Sequence, residues 1–269
     1  MRFVTIMCVT LLSATAWSQT IDPNTTDPET IMKAVEAREQ GDRSKSVLNL
    51  EVRDAKGRTR SRTVVSWSKD FAEGRKQLMI FQQPADVAGT GLLSIDYDLG
   101  SKEDDQWLYL PSLKKSTRIS SGEKSGSFMG TDLTYADMTK TDPNDFVYSI
   151  KKQSAKVGTE DCWVIEARPK SQRVQNETGY QKSRIWVSKT KLLAIQMKAW
   201  VIEGRKIKYI RFDDLKLVDG VWIAHKISAR TKRNKKTEST TVLSFSSYKL
   251  NQDEVTDALF TQQKLQQGL

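Results

Sequence analysis

Histidine is nearly absent from this chain, which has His225 and no other. Cysteine is almost as scarce, with only Cys8 and Cys162. With so few, no His-rich metal cluster and no Cys/His pair can be assembled, and no serine nucleophile elbow occurs either. His225 stands in the strand-like run Trp222-Ile223-Ala224-His225-Lys226, where a packed residue is the ordinary reading. Carboxylates do come in pairs: Asp96 with Asp98, Asp104 with Asp105, and Asp213 with Asp214. Paired acids can run hydrolysis or hold Ca²⁺. These pairs fall at strand ends and turns, where aspartate serves the local backbone. The sequence therefore predicts a protein that is not an enzyme, with no cofactor and no metal.

Long apolar runs are also missing beyond the start of the chain. No later segment reaches the roughly 18 apolar residues a membrane helix needs. The start itself is different. Arg2 is followed by an apolar run, 3–14, broken only by Thr5, Thr10 and Ser13, and then by Ala16-Trp17-Ser18. That is the pattern of a secretory signal peptide, too short to span a bilayer. Cleavage is expected before Gln19, so residues 1–18 are read as a signal peptide. Residues 19–269, with no repeat and no linker, are read as one periplasmic domain. Cys8 lies inside the apolar run behind Met7, a residue too large for a lipid-attachment signal, so the mature protein is expected to be soluble. Cys162 is then left alone and cannot form an internal disulfide. Its setting, Asp161-Cys162-Trp163-Val164-Ile165, reads as a strand with a buried, inert thiol.

The formal net charge is +10. A basic balance suits anionic lipid head groups, nucleic acid or an acidic partner, and secretion argues against nucleic acid. One cluster stands out: Arg230, Lys232, Arg233, Lys235 and Lys236. It reads as a solvated hairpin tip, or as a transient contact with a membrane surface or a partner.

A helix is predicted first, capped by Thr26 or Asp27, with Pro28 in its first turn, Gly41 at its end and a stripe of Ile31, Met32 and Val35. From Ser46 the apolar period becomes two. Strands are expected at 48–52, 63–69, 77–82, 92–98, 106–110 and 116–120, and again at 146–156, 162–168, 182–188, 192–202, 206–218, 222–231 and 238–250. Turns fall at 54–57, 100–102, 111–114, 204 and 219–220. Residues 121–145 form a long break that carries Phe128, Met129, Leu133, Tyr135 and Met138, and a loop with its own apolar side chains is usually functional. Asn251 and Glu254 form a capping pair for a short C-terminal helix with Val255, Leu259 and Phe260, followed by a loose Gln-rich tail. The fold class is thus mainly β, a single antiparallel sheet wide enough to curl.

Particular motifs sharpen this. Asp105-Gln106-Trp107-Leu108-Tyr109-Leu110-Pro111-Ser112-Leu113-Lys114-Lys115, with Arg118-Ile119 beyond it, resembles the "W-Y-L-P-x-L-K" strand and turn of the outer membrane lipoprotein-sorting family. Ser127-Phe128-Met129-Gly130-Thr131-Asp132-Leu133-Thr134-Tyr135-Ala136-Asp137 is similar to that family's "F-M-G-S-D-F-T-Y-E-D" segment, with Thr131 and Leu133 as mild departures. The stretch 83–93 resembles the preceding turn. The resemblance covers nearly the whole mature chain. It implies a LolA- or LolB-like fold: one strongly curved antiparallel sheet forming an unclosed β-barrel, helices at its opening, and an apolar cavity for lipid or lipoprotein acyl chains. It also implies work beside an export permease of the resistance-nodulation-division (RND) type. A non-enzymatic docking or sensor module of the envelope is the alternative.

The candidate lining of such a cavity is Trp67, Phe81, Trp107, Tyr109, Phe128, Met129, Tyr135, Trp186, Met197 and Trp200. The same large side chains would equally fill an ordinary core. The Phe128-Met129 pair, between Gly126 and Gly130, reads either as a gate or as a plug pinned over the barrel mouth. Asp132 and Asp137 are expected to bond the loop backbone.

Overall fold

The computed structural model describes residues 21–98 and 102–267. The expected signal peptide, its cleavage point before Gln19, Cys8, and the turn at 100–102 apart from Lys102 lie outside the described residues.

Helix α1 (Pro28–Glu36) starts as its sequence dictates. The Asp27 carboxylate accepts the Glu29 and Thr30 amides, satisfying donors that the first turn leaves free. The helix stops at Glu36, however, and not at Gly41. Ala37 closes it by donating its amide to the Lys33 carbonyl, and beyond it Arg38 donates to the Trp222 carbonyl at 3.0 Å. Gly41 is needed for another reason. Its φ is +79°, and a Cβ there would lie 2.7 Å from the Leu250 side chain.

Thirteen strands follow. They are β1 (Arg43–Asp54), β2 (Thr59–Phe71), β3 (Gly74–Gln83), β4 (Gly91–Tyr97), β5 (Asp105–Leu110), β6 (Lys115–Arg118), β7 (Phe146–Val157), β8 (Glu160–Pro169), β9 (Tyr180–Ser188), β10 (Ala194–Val201), β11 (Lys206–Val218), β12 (Val221–Arg233) and β13 (Lys236–Leu250). They form one antiparallel sheet in the order β6-β5-β4-β3-β2-β1-β13-β12-β11-β10-β9-β8-β7. Two meanders, β1–β6 and β7–β13, are therefore joined by the pairing of β1 with β13, and β6 and β7 are left as unpaired edges.

The sheet must be strongly curled. Gln106 on β5 donates to the Tyr135 carbonyl at 2.9 Å, and Tyr180 on β9 donates to the Asp137 carboxylate at 2.8 Å. Along the sheet β5 and β9 are nine strands apart, roughly 43 Å if flat. Tyr135 and Asp137 span no more than about 7 Å of backbone. Only a sheet wrapped around residues 135–137 can make both bonds.

Alternation then assigns the faces. Leu48, Leu50, Val64, Phe81, Leu92, Leu243, Ala229 and Ile210 point to the concave side and are buried there. Trp163, Ile165, Tyr148 and Val187 continue that side toward β7, where Ile31 and Met32 of α1 cover them. On the convex side, Trp67, Leu78, Ile80, Leu93, Trp107 and Tyr109 of β2–β5 are covered by Val255, Phe260 and Leu265.

Two further elements differ from the sequence reading. Helix α2 (Gln172–Thr178) was not expected. Its Ser171 cap and its Gly179 end at φ +75° are ordinary helix signals, but Val174 is its sole buried residue, too little to show a periodic stripe. At the C-terminus no helix starts at Asn251 or Glu254. Helix α3 (Gln262–Gln267) begins behind Thr261, whose hydroxyl accepts the Lys264 amide. The Gln-rich tail is thus not loose, because Leu265 is completely buried against the sheet. Among the described residues no helix is long and apolar enough to cross a membrane.

Candidate functional site

Residues 119–138, which include three short 3-10 turns, lie against the apolar concave face. Ile119, Phe128 and Leu133 are buried in it. The Phe128 ring lies 6.0 Å from Phe81 and edge-on to Tyr135 at 5.7 Å. Burying a phenylalanine of this kind contributes about 1.5–3 kcal/mol. Met129 takes a positive φ of 50°, unusual for a residue with a Cβ, and its carbonyl accepts Arg62 of β2 at 2.6 Å.

Polar side chains on the inward positions of the strands hold this segment. Asp132 accepts the hydroxyls of Ser239 and Thr241, and the Asp132 amide donates to Thr241 at 2.8 Å. The partner of this carboxylate is therefore β13, and not the loop backbone expected for it. Asp137 does accept a loop amide, from Thr134 at 2.8 Å, but it also binds Lys208 of β11 at 2.9 Å and Tyr180 of β9. Lys208 completes a triangle by donating to the Tyr180 hydroxyl at 2.6 Å. Burial, with the Asp137 charge beside it, pushes the Tyr180 hydroxyl well above its ordinary pKa. At the start of the segment Lys124, also buried, pairs with Glu177 of α2 at 2.5 Å. These charges are desolvated, so removing one partner leaves the other uncompensated.

Beside the segment lies a cavity of about 770 Å³, between α1, the 136–145 stretch, α2 and the ends of β3 and β4, lined mostly by charged and polar residues. Asp96 and Asp104, placed in separate pairs by sequence, both face it. Burial, and the neighbouring Asp104, push the Asp96 carboxyl up to about 7, against a stabilising amide from Lys140. Burial likewise raises Asp104 to about 6, although the Tyr97 amide donates to it. His225 packs against Phe245 and Tyr248, with no acid or nucleophile as partner among the described residues. Cys162 is fully buried, and burial raises its thiol to about 11. Among the described residues no group of three or more His, Cys, Asp or Glu could hold a metal ion.

Strand parity divides the ten candidate lining residues. Phe81, Phe128, Met129, Tyr135 and Met197 meet in the concave cluster. Trp67, Trp107 and Tyr109 lie on the opposite side under the C-terminal segment. Trp186 and Trp200 pair with Gln196 and Lys182, also on the convex side, and remain half-exposed. The residues that fix the loop (Arg62, Gln106, Tyr180, Lys208, Ser239 and Thr241) were not anticipated. Lys208 had a legible signal, since alternation from Ile210 and Phe212 sends a lysine inward. The basic cluster is a hairpin tip, with Asn234 and Lys235 at positive φ and Arg233 paired to Glu238 at 2.7 Å.

This architecture, an unclosed curved sheet with helices and one inserted segment on its inner side, is that of the LolA-like proteins. A LolA superfamily protein from Nitrosomonas europaea shares the fold at 20% identity and a TM-score of 0.64, covering 89% of this chain and 99% of that one. A DUF1329 family protein from Desulfovibrio piger matches at 27% identity and a TM-score of 0.77, covering 88% and 97%. An outer membrane lipoprotein-sorting protein domain from Vibrio parahaemolyticus matches at 28% and 0.78, with the same coverage. A family model described as "Uncharacterized protein" matches residues 73–267, and the chain belongs to that family, DUF1329. No curated protein matches the chain.

Proposed function

We propose that this chain is a periplasmic carrier or binding protein for lipid or lipoprotein acyl chains, with the concave face as the acyl site and residues 119–138 as its removable cover. One observation supports this above the others. The apolar interior of the curved sheet is closed by an inserted segment that lays Ile119, Phe128 and Leu133 on it and is tied to the strands through polar bonds. Polar ties can be exchanged for water when the loop lifts, and the apolar contacts it gives up can be replaced by those of an entering acyl chain. Phe128, Leu133 and Ile119 then occupy the volume that an acyl chain would take. The sorting-protein relative from Vibrio parahaemolyticus supports the same reading. Delivery to or from an RND-type permease is the finer part of the proposal.

The test is mass spectrometry of an organic extract of protein purified natively from its own envelope, with acyl lipid expected. Alongside it, Asp137→Asn and Thr241→Val should loosen the cover and speed uptake of a fluorescent fatty acid by folded protein. An empty extract, with no acyl probe bound by wild type or by either folded variant, would replace the carrier with the envelope docking or sensor module.

A further inference from the structure

The convex side of β9–β12 carries an ordered array that the acyl site does not use. The register places Arg184, Lys198, Tyr209 and Arg230 opposite one another in a row across four strands. The adjacent row is Lys182, Trp200, Ile207 and Lys232. All eight point away from the concave face, because their neighbours Ala199, Lys208 and Ala229 are buried on it. At about 4.8 Å between strands, each row is roughly 15 Å long.

Two aromatic rings sit among five cations. Lys198, Lys182 and Arg184 lie 4.5, 4.7 and 5.5 Å from the centre of the Trp200 ring. Lys198, Arg230 and Lys232 lie 5.7, 5.7 and 5.8 Å from that of Tyr209. The carboxylate at the edge of the array is Glu166, 3.2 Å from both Lys182 and Arg184. It is already committed to Arg168 and Lys151 as well. Burial alone would raise its carboxyl, but the hydrogen bonds from Lys182, Arg184 and Arg168 outweigh that and hold it at about 2. Lys198, Arg230 and Lys232 have no ion pair among the described residues. The C-terminal segment, which covers the convex side of β2–β5, leaves this half open.

Like charges on neighbouring strands repel, so the array costs stability in the isolated protein. An anionic surface would remove that repulsion. Half-exposed tryptophan and tyrosine, each with an apolar body beside a wet polar edge, suit the head-group level of a bilayer. The recess on this face, about 290 Å³ beside Ile207, Tyr209 and Lys232, is ringed by the cations Arg205, Lys232 and Lys235, so it suits an anionic head group better than the desolvated apolar anchor of a protein partner. We propose that the convex face of β9–β12 docks on anionic phospholipid head groups, with Lys198, Arg230 and Lys232 as the main charge contacts and Trp200 and Tyr209 at the interface. This docking stands independently of the acyl site, which opens on the other side of the sheet.

The test is co-sedimentation of the full chain with vesicles of phosphatidylcholine alone or mixed with phosphatidylglycerol, at low and high salt. Binding is expected only with phosphatidylglycerol, weakening with salt, with a change in tryptophan emission that Trp200→Phe reduces. Replacing Lys198, Arg230 and Lys232 together with glutamine should weaken binding roughly a hundredfold. Replacing Lys56, Lys114 and Lys115, remote cations of the same total charge, should leave binding nearly unchanged. Circular dichroism establishes that both variants are folded. Equal binding to both vesicle types, or equal loss in the two triple variants, overturns the proposal. So does wild-type protein that ignores vesicles but binds polyglutamate or inorganic phosphate through the same three residues, which would make the occupant an acidic protein or a free anion.

Discussion

Asp96 shows what one residue does when tertiary structure takes it out of water. An ordinary aspartate is ionised above pH 4, yet here burial raises the carboxyl to about 7. The folded state therefore holds a proton that the unfolded state has released, from about pH 4 to about pH 7. Stability from this group is present below the unfolded pKa and is lost as pH rises through the folded one. Asp96→Asn keeps the neutral shape. Its stability relative to wild type should climb between pH 4 and 7 and then level off, by on the order of 4 kcal/mol. Denaturant titrations of both proteins across that range check it, and a flat difference would mean that water reaches the carboxylate. A second residue-scale expectation concerns Asp137. Its removal strands Lys208 in a buried site, so Asp137→Ala should cost about 3–5 kcal/mol, while Lys208→Met, which leaves Asp137 bonded to Tyr180 and a backbone amide, should cost less.

At the scale of elements, the convex side is divided between a covered half and an open half. The C-terminal segment covers the first half with a short helix that would be marginal alone. Leu265 is its anchor, packed where Gly91 leaves room: a Cβ at Gly91 would lie 2.6 Å from the Leu265 side chain. Leu265→Ala should therefore cost about 2–5 kcal/mol. Leu113→Ala, at a residue 67% exposed, should stay within about 0.5 kcal/mol of wild type. Thermal or denaturant unfolding measures both. This helix was misplaced in the sequence reading, because Val255 and Phe260 suggested a helical stripe. Val255 and Phe260 do pack on the sheet, but from an irregular stretch, with the helix following them. The strands were legible in the same sequence, since period-two alternation with Gly, Asn and Asp at the turns states its own geometry.

The whole molecule is held by the pairing of its ends. β1 meets β13 along eleven paired residues, from Ser44 with Leu250 to Asp54 with Ser239. Neither meander can close its concave face alone: the cover is tied to β2 and β5 by Arg62 and Gln106, and to β9, β11 and β13 by Tyr180, Lys208 and Thr241. Fragments 21–145 and 146–267 produced separately should therefore lack cooperative unfolding, while the intact chain unfolds in one transition. Circular dichroism melts of the fragments and of their mixture test this. A fragment with a sharp transition of its own would show that the sheet is two units.

The sequence by itself determined the class of structure. Alternation made strands, turn residues separated them, Asp27 and Pro28 started the first helix, and the long motif at 127–137 marked the segment that fills the concave face. Those signals are local, carried by residues within one strand or turn. It also supplied the inventory of aromatic residues, but not their side. A strand's parity relative to the core depends on which neighbours it pairs with and which way the sheet curls, so Trp107 and Trp200 fell opposite to Phe81 and Met197. Only the tertiary structure joined Asp137 to Lys208 and Tyr180, brought Asp96 beside Asp104, and aligned Lys198, Tyr209 and Arg230 across three strands. Each of those groupings joins residues far apart in the chain, and the curvature and register of a thirteen-stranded sheet decide which of them meet.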